Sequence, residues 1–168
     1  MAKLRLAGVI RESIVDGPGI RMTVFTQGCP HHCKGCHNEQ TWDFSSGYDS
    51  STERILEEAK KDPILRGLTF SGGEPFCQAE ALSVLAKEAK EKGYDIFCYT
   101  GYTFEHLLTQ FDSHPEYKAL LENCDWLVDG PFILEKRSLI LKFRGSTNQR
   151  ILDVKKSLEK GCAVETEV

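Results

Sequence analysis

Apolar positions along the chain follow two spacings, one typical of strands and one typical of helices. Runs rich in Leu, Ile, Val, Thr and Phe, bounded by turn residues, predict strands at about 4–10, 20–27, 67–70, 94–100 and 125–129. Apolar residues three and four positions apart predict helices at about 50–62, 78–92, 103–111 and 115–123, with a lysine-rich helix up to Lys160.

Particular residues mark where two of these helices begin and end. Ser50 is followed three residues later by Glu53, a capping-box pattern that predicts the start of the first helix. The helix at 78–92 has apolar residues on one face and Lys and Glu on the other, and Gly93 predicts its end.

The alternation of strands and helices predicts an α/β fold with parallel strands and outer helices. In such sheets, sites form where the carboxyl ends of the strands meet. A loop of cysteines at 29–36 follows one predicted strand, and Gly72-Gly73-Glu74, Thr100-Gly101 and Asp129-Gly130 follow three others. We therefore expect these four strand ends to face one pocket.

Length and composition limit the classes of protein that this chain fits. A length of 168 residues predicts a single domain over 1–168, with a core at about 4–155 and a short C-terminal tail. Hydrophobic residues make up 40% and charged residues 27%, which is typical of a soluble globular protein. The formal charge of -4 argues against a broad nucleic-acid surface.

The first residues include no long apolar segment, and the chain offers no run of about 18 apolar residues that would span a membrane. We therefore expect a cytoplasmic protein with neither a membrane nor a nucleic acid as partner. Seven cysteines without a secretory signal favour reduced thiols and a metal site over a disulfide framework.

Three of the cysteines, Cys29, Cys33 and Cys36, lie within eight residues. A [4Fe-4S] cluster is saturated by four thiolates, so three thiolates leave one iron open for a small chelating molecule. The alternative is a zinc ion held by the same three thiols, with His31, His32 or His37 as the fourth ligand. No second Cys pair accompanies the three, which favours the cluster.

The cluster interpretation leaves the neighbouring histidines and the other cysteines without a metal. His31 and His32 are then expected to be solvated loop residues. The remaining thiols are expected to be buried or half-buried structural residues, namely Cys77, Cys98, Cys124 and Cys162.

The spacing Cys-x3-Cys-x2-Cys resembles the signature of radical S-adenosylmethionine enzymes. A longer pattern resembles the glycyl-radical-enzyme activases at Gly19, Arg21, Phe25, Gly28, Cys29, Cys33, Cys36 and Asn38. Within that family, the chain is most similar to activating proteins of anaerobic ribonucleoside-triphosphate reductases. The segments that carry this similarity are 15–19, Trp42, 71–75, 99–102, 127–130 and 144–149.

The resemblance implies a partial (β/α) barrel of parallel strands with outer helices and the cluster at the C-terminal strand ends. It also implies a [4Fe-4S] cluster on the three cysteines, with S-adenosylmethionine bound at the open iron. In the family's GGE motif, here Gly72-Gly73-Glu74, strand-end backbone carbonyls and the carboxylate receive the methionine ammonium, and the glycines allow its close approach. The alternative is a turn that needs glycine for its geometry only. The cofactor-binding residues that the resemblance implies are Gly35, Cys36, His37, Asn38, Gly72, Gly73, Glu74, Thr100 and Asp129. It implies no catalytic side chain beyond the cluster and cofactor.

In the family, one electron from the reduced cluster cleaves the sulfonium, and the resulting deoxyadenosyl radical removes a hydrogen from a glycine of the reductase. The implied partners are therefore the anaerobic reductase and a low-potential electron donor such as flavodoxin. Asp16 and Arg21 are expected to order the segment before the cluster or to face the partner.

Other functions stay open from the sequence alone. One is another small radical S-adenosylmethionine enzyme, such as a 7-carboxy-7-deazaguanine synthase or a pyruvate formate-lyase activase. Another, from a different class, is a non-catalytic zinc or iron-sulfur module that docks a partner. Iron content and release of 5′-deoxyadenosine separate the enzymes from such a module.

Overall fold

A computed structural model of the chain describes residues 2–168. Within these residues, the strands are β1 (Lys3–Ser13), β2 (Arg21–Thr26), β3 (Tyr48–Ser51), β4 (Gly67–Gly72), β5 (Asp95–Tyr99), β6 (Trp126–Asp129) and β7 (Arg150–Asp153). The α-helices are α1 (Thr52–Lys60), α2 (Ala79–Glu91), α3 (Phe104–Thr109), α4 (Pro115–Glu122) and α5 (Val154–Lys160). Three 3₁₀ turns lie at Glu39–Thr41, Pro75–Gln78 and Leu134–Lys136.

The strands form one sheet in the order β3-β1-β2-β4-β5-β6-β7. The four central strands β2, β4, β5 and β6 are parallel to one another, as the alternation of elements predicts. The flanking strands β1, β3 and β7 pair antiparallel, so the predicted parallel strands form only the centre of the sheet. The antiparallel pairings arise because β1 and β2 follow each other through a short turn and β7 returns beside β6. The fold is therefore mixed α/β with a parallel centre.

All five helices pack on one face of the sheet. Their buried apolar residues join one large hydrophobic core with every second residue of the central strands, among them Val24, Leu68, Phe70, Ile96 and Leu127. The alternation follows from strand geometry, because successive side chains point to opposite faces. Within residues 2–168, no helix is long and apolar enough to cross a membrane.

The opposite face of the sheet carries a smaller apolar cluster, formed by Phe97, Val128 and Ile151, to which no helix contributes within the described part of the chain. The turn between β1 and β2 folds across this face. There the Asp16 carboxylate accepts from the Thr23 hydroxyl at 3.1 Å. We refer to this side as the helix-free face.

The Arg21 side chain is fully buried at the amino end of the central strands. Its guanidinium pairs with Asp95 at 2.6 Å and donates to the Thr69 hydroxyl at 2.8 Å. It also donates to the carbonyls of Pro18 and Leu68, both at 2.9 Å. Burial lowers the pKa of Arg21, and the Asp95 carboxylate opposes that shift. Arg21 thus orders the segment before the cysteines and does not face a partner.

The start of α1 differs from the prediction by one residue. Ser51, and not Ser50, caps the helix, since its hydroxyl accepts from the Arg54 amide at 3.2 Å. Ser50 belongs to β3, where it pairs with Leu4, and is therefore unavailable as a cap. The other predicted helices lie within a few residues of those observed.

Candidate functional site

A cavity of about 150 Å³ opens at the carboxyl ends of the parallel strands. All four predicted strand ends contribute to it, so the expected convergence is confirmed. The lining residues are Cys29, His31, Cys33, Cys36, Asn38, Thr41, Trp42, Ser71, Gly72, Gly73, Tyr99, Thr100, Gly101, Gly130, Phe132 and Gln149.

The three clustered cysteines reach this cavity from the loop after β2. Cys29 is buried, whereas Cys33 and Cys36 are half-buried. The loop is held by its backbone, because the Gly28 amide donates to the Thr41 carbonyl at 2.6 Å and the Cys29 amide to the Trp42 carbonyl at 3.2 Å. The sequence signal, three thiols within eight residues, thus corresponds to three thiols on one cavity.

Backbone amides also approach the thiols themselves. The Asn38 amide donates to the Cys36 sulfur at 3.3 Å. Burial raises the pKa of Cys29, while backbone hydrogen bonds from His31 and His32 act in the opposite direction. Such amides favour the thiolate, which is the form that binds a metal.

Glycines at the end of β4 permit an unusually close approach of two backbones. Gly72 pairs with Thr26 in the parallel register of β2 and β4. A Cβ atom at Gly73 would lie 2.3 Å from the Gly28 carbonyl oxygen, a distance that no side chain tolerates. Gly72 adopts a φ of 99°, which also favours glycine. These two glycines are therefore required by the packing of the β4 end against the cysteine loop.

Glu74 follows these glycines, and its side chain is fully buried. Its carboxylate accepts from the Phe76 amide at 3.0 Å and the Gly101 amide at 2.8 Å. The Thr100 hydroxyl lies 2.9 Å from both carboxylate oxygens. The fourth partner is His31, whose Nε2 lies 2.6 Å from Oε1 and must carry the proton to donate to a carboxylate. Glu74 therefore ties the cysteine loop to the ends of β4 and β5.

His31 was expected to be a solvated loop residue, and that prediction is wrong. Its side chain is only 16% exposed and packs edge-on against Tyr102 with ring centroids 4.5 Å apart. A Cβ at Gly101 would lie 2.5 Å from the imidazole. The residue was missed because its partner Glu74 is 43 positions away and only the fold brings the two together. His32, in contrast, is exposed and stacks on Trp42.

Thr100 lines the cavity, but Asp129 does not. Asp129 is 1% exposed, and its carboxylate accepts from the Phe104 amide at 2.7 Å, at the start of α3. It also accepts from Arg150 Nε at 3.0 Å. The neighbouring Gly130 reaches the cavity in its place.

Three further predicted residues lie beside the cavity without lining it: Glu74, whose buried carboxylate faces the hydrogen-bond donors described above, and Gly35 and His37. Gly35 is exposed and packs near Leu134, where a Cβ would come within 2.7 Å of the leucine side chain. His37 is exposed and contacts Phe132 with ring centroids 5.6 Å apart. Their roles in cofactor binding stay predictions.

Trp42, Phe132 and Gln149 line the cavity, although the sequence argument gave them no site role. Trp42 Nε1 is buried and has no hydrogen-bond partner among the described residues. The sequence signal for Trp42 and Gln149 was their place in segments similar to the activating proteins, whereas nothing marked Phe132.

The other four cysteines differ in exposure, two being buried and two exposed. Cys98 and Cys124 are buried in the main core, as predicted for structural thiols. Cys77 and Cys162 are exposed, so the prediction that they are buried or half-buried is wrong. All seven cysteines are free thiols.

The donor set of the cavity fits an iron-sulfur cluster. Three free thiols from one loop face a single space, and three is the number that leaves one iron open. Among residues 2–168, no group of three or more His, Cys, Asp or Glu side chains is close enough to hold a single metal ion. Trp42, whose buried indole N–H has no partner among the described residues, also lines this cavity.

Comparison with known proteins identifies the family. A profile of 4Fe-4S single-cluster domains matches residues 15–152. The anaerobic ribonucleoside-triphosphate reductase-activating protein of Vibrio cholerae is 42% identical over 146 residues, which cover 82% of this chain and 90% of that protein. The chain belongs to the family of anaerobic ribonucleoside-triphosphate reductase-activating proteins. The Escherichia coli K12 member is 33% identical over 144 residues, with 81% and 90% of the two chains covered.

Membership of this family confirms the resemblance drawn from the cysteine pattern and its flanking residues. Among solved structures, QueE from Escherichia coli is 18% identical and gives a TM-score of 0.48, with 60% of this chain and 54% of QueE covered.

Proposed function

We propose that the chain activates an anaerobic ribonucleoside-triphosphate reductase by generating a glycyl radical in it. The proposal is supported by family membership together with one observation of this molecule. Three free thiols and the ends of four parallel strands meet at one cavity. The cofactors are a [4Fe-4S] cluster and S-adenosylmethionine. When bound, they supply the one-electron reductive cleavage of the sulfonium, chemistry that protein side chains do not provide.

The chain's own residues bind and orient these groups. Cys29, Cys33 and Cys36 hold three irons and leave the fourth open to S-adenosylmethionine. Gly72 and Gly73 let the end of β4 pack directly against the cysteine loop, and both line the cavity, where their backbone carbonyls are the groups that receive the methionine ammonium. The further cofactor-binding residues are Gly35, Cys36, His37, Asn38, Glu74, Thr100 and Asp129.

Glu74 acts on the cofactor mainly by holding the walls of its site. All its hydrogen bonds go to residues of the cavity walls or of the turn that follows them, His31, Thr100, Gly101 and Phe76. Asp129 acts through the start of α3 and the adjoining Gly130.

Four broader expectations are part of the proposal. The chain is a single domain over 1–168, with a core at about 4–155 and a short tail. The sheet forms part of a (β/α) barrel, which fits the single helical layer. The protein acts in the cytoplasm. Its electron comes from a low-potential donor such as flavodoxin.

Anaerobic reconstitution tests this function. We expect about four irons per chain, release of 5′-deoxyadenosine on reduction with S-adenosylmethionine, and a glycyl radical signal in the reductase by electron paramagnetic resonance. A Cys33→Ser variant should lose the cluster and both products, whereas Cys162→Ser, at an exposed thiol, should retain them.

Other outcomes point to the competing functions. One bound zinc per chain, without cleavage of S-adenosylmethionine, would indicate a non-catalytic zinc module. Cleavage without a radical in the reductase would favour another small radical S-adenosylmethionine enzyme, such as a 7-carboxy-7-deazaguanine synthase or a pyruvate formate-lyase activase.

A further inference from the structure

Four large aliphatic side chains are exposed on two loops of the molecule. Leu139 and Ile140 are 88% and 94% exposed, and Ile14 and Val15 are 73% and 69% exposed. We call these four residues the apolar rim. Single exposed aliphatic residues are ordinary on protein surfaces, whereas contiguous exposed apolar residues are more often part of an interaction site.

Both loops of the apolar rim lie over the helix-free face of the sheet. Next to the pair 14–15, Gly17 touches this face, since a Cβ there would lie 3.0 Å from the Phe97 ring. Close to the other pair, the Phe143 ring packs on Phe97 with centroids 5.8 Å apart. The two aliphatic pairs therefore belong to loops that share Phe97 as their contact on the sheet.

The loop that carries Leu139 and Ile140 is continuous with a wall of the cavity. Its base is closed by a bridge between Arg137 and Ser146, and Phe132 and Gln149 on either side of it line the cavity. The Phe143 carbonyl accepts from the hydroxyl of Tyr99, another cavity residue, at 2.8 Å. The tip of this loop thus projects from the structure that encloses the three thiols.

The same loop is locally basic in a chain whose formal charge is -4. Lys136, Arg137 and Lys142 are exposed, and Glu135 is the exposed acid beside them. Lys142 donates to the Val168 carbonyl at 3.0 Å. Within residues 2–168, neither Lys136 nor Arg137 forms a salt bridge with an acidic side chain. The loop therefore suits a partner with acidic groups next to aliphatic ones.

We propose that the apolar rim docks the protein substrate, through a segment of the reductase that carries aliphatic and acidic side chains. This inference rests on the proposed function, because a macromolecular substrate has to bring its glycine to the cavity. Binding at Leu139 and Ile140 holds the reductase beside the wall formed by Phe132 and Gln149, while Ile14 and Val15, which follow Ser13 opposite Arg21, extend the contact along the helix-free face. The rim takes no part in holding the cluster or S-adenosylmethionine.

The test is a double substitution at the tip, L139S/I140S, in reconstituted protein. We expect the rate of glycyl radical formation at low reductase concentration to fall at least tenfold, with the KM for the reductase raised and kcat little changed. Iron content and release of 5′-deoxyadenosine without reductase should stay at wild-type levels. The matched control is Ile64→Ser, a 53% exposed isoleucine on the loop before β4.

Charge reversal gives a second variant that also leaves the core intact. K136E/R137E should slow activation of the reductase by about the same factor, and the wild-type rate should fall with added salt more steeply than the variant's. I14S/V15S tests the other half of the rim with the same assays.

The outcomes separate this inference from the proposed function. If the wild type activates the reductase and L139S/I140S does so within twofold at low reductase concentration, the rim is not the docking surface. An equal loss in Ile64→Ser would overturn it as well. Self-association of the wild type that the tip variant abolishes, with activation unchanged, would assign the rim to a second copy. If the wild type forms no radical in the reductase, the proposed function fails and this inference fails with it.

Discussion

Arg21 and Glu74 are both fully buried, yet they lie at opposite ends of the central strands and are neutralised in different ways. Arg21 pairs directly with a carboxylate, that of Asp95. Glu74 is surrounded by backbone amides, one hydroxyl and one imidazole. The amino end is thus closed by an ion pair whose residues do not line the cavity of the three thiols. At the carboxyl end, the Glu74 carboxylate instead accepts from polar donors, and the segments that supply them form the site.

The difference shows that a stabilising ion pair and the candidate site lie at opposite ends of the same sheet. A charge paired at 2.6 Å fixes the β2 and β5 ends to each other. A carboxylate with donors from three segments keeps those segments at fixed distances without adding a side chain to the cavity. Three substitutions test this comparison, in order of decreasing effect.

The largest effect is expected for Arg21→Met. Removing one partner of a buried ion pair costs about 3–5 kcal/mol, because the remaining groups lose their donor. Asp95 retains Arg66 at 2.9 Å, which places the expected loss in the free energy of unfolding near the lower figure. Urea denaturation of the cluster-free protein measures it. A loss below about 1 kcal/mol would contradict a stabilising role for the pair.

A smaller effect is expected for Glu74→Gln. The side-chain amide nitrogen of Gln would face hydrogen-bond donors from which the carboxylate now accepts. The free energy of unfolding should therefore fall by about 1–3 kcal/mol. Binding of S-adenosylmethionine to the reconstituted protein should weaken as well. Glu80→Gln, at an exposed position on α2, is the control for loss of charge alone. Unchanged stability of the cluster-free variant would mean that Glu74 acts on the cofactor and not on the walls.

The smallest loss in the free energy of unfolding is expected for Asp129→Asn. The substitution removes the charge from both contacts with Arg150, for a loss of about 1–2 kcal/mol in the free energy of unfolding, while the Asn oxygen can still accept from the Phe104 amide. Arg150 retains Glu105 at 2.7 Å, which limits the loss. If Asp129 instead contacts the cofactor directly, its substitution will weaken binding of S-adenosylmethionine more than it lowers stability.

Much of the central architecture follows from local sequence pattern. The helix predicted at 78–92 is Ala79–Glu91, because its apolar face repeats at helical spacing along its whole length. The parallel centre follows from strands separated by helices. Strands β3 and β7 were not predicted, since each has only four residues and their sequences, YDSS and RILD, mix polar with apolar residues.

The site was predictable where its residues are neighbours in sequence. The three thiols and the glycines of β4 lie in short motifs, and the structure brings them to one cavity. The bond between His31 and Glu74 depends on two segments 43 residues apart, and no local pattern encodes it. The exposed Cys77 and Cys162 were misjudged for a related reason, because a thiol's burial is set by what the fold places over it.

The six-residue length of β4 indicates where the chain tolerates an insertion. The strand separates Gly67 from Gly72 by roughly 16 Å of extended backbone, at about 3.3 Å per residue. Pro63 and Ile64, exposed just before this strand, therefore lie at the end farthest from the thiols. A peptide tag or a fluorescent label inserted between them would extend from the amino end of the sheet and leave the strand ends at the cavity undisturbed.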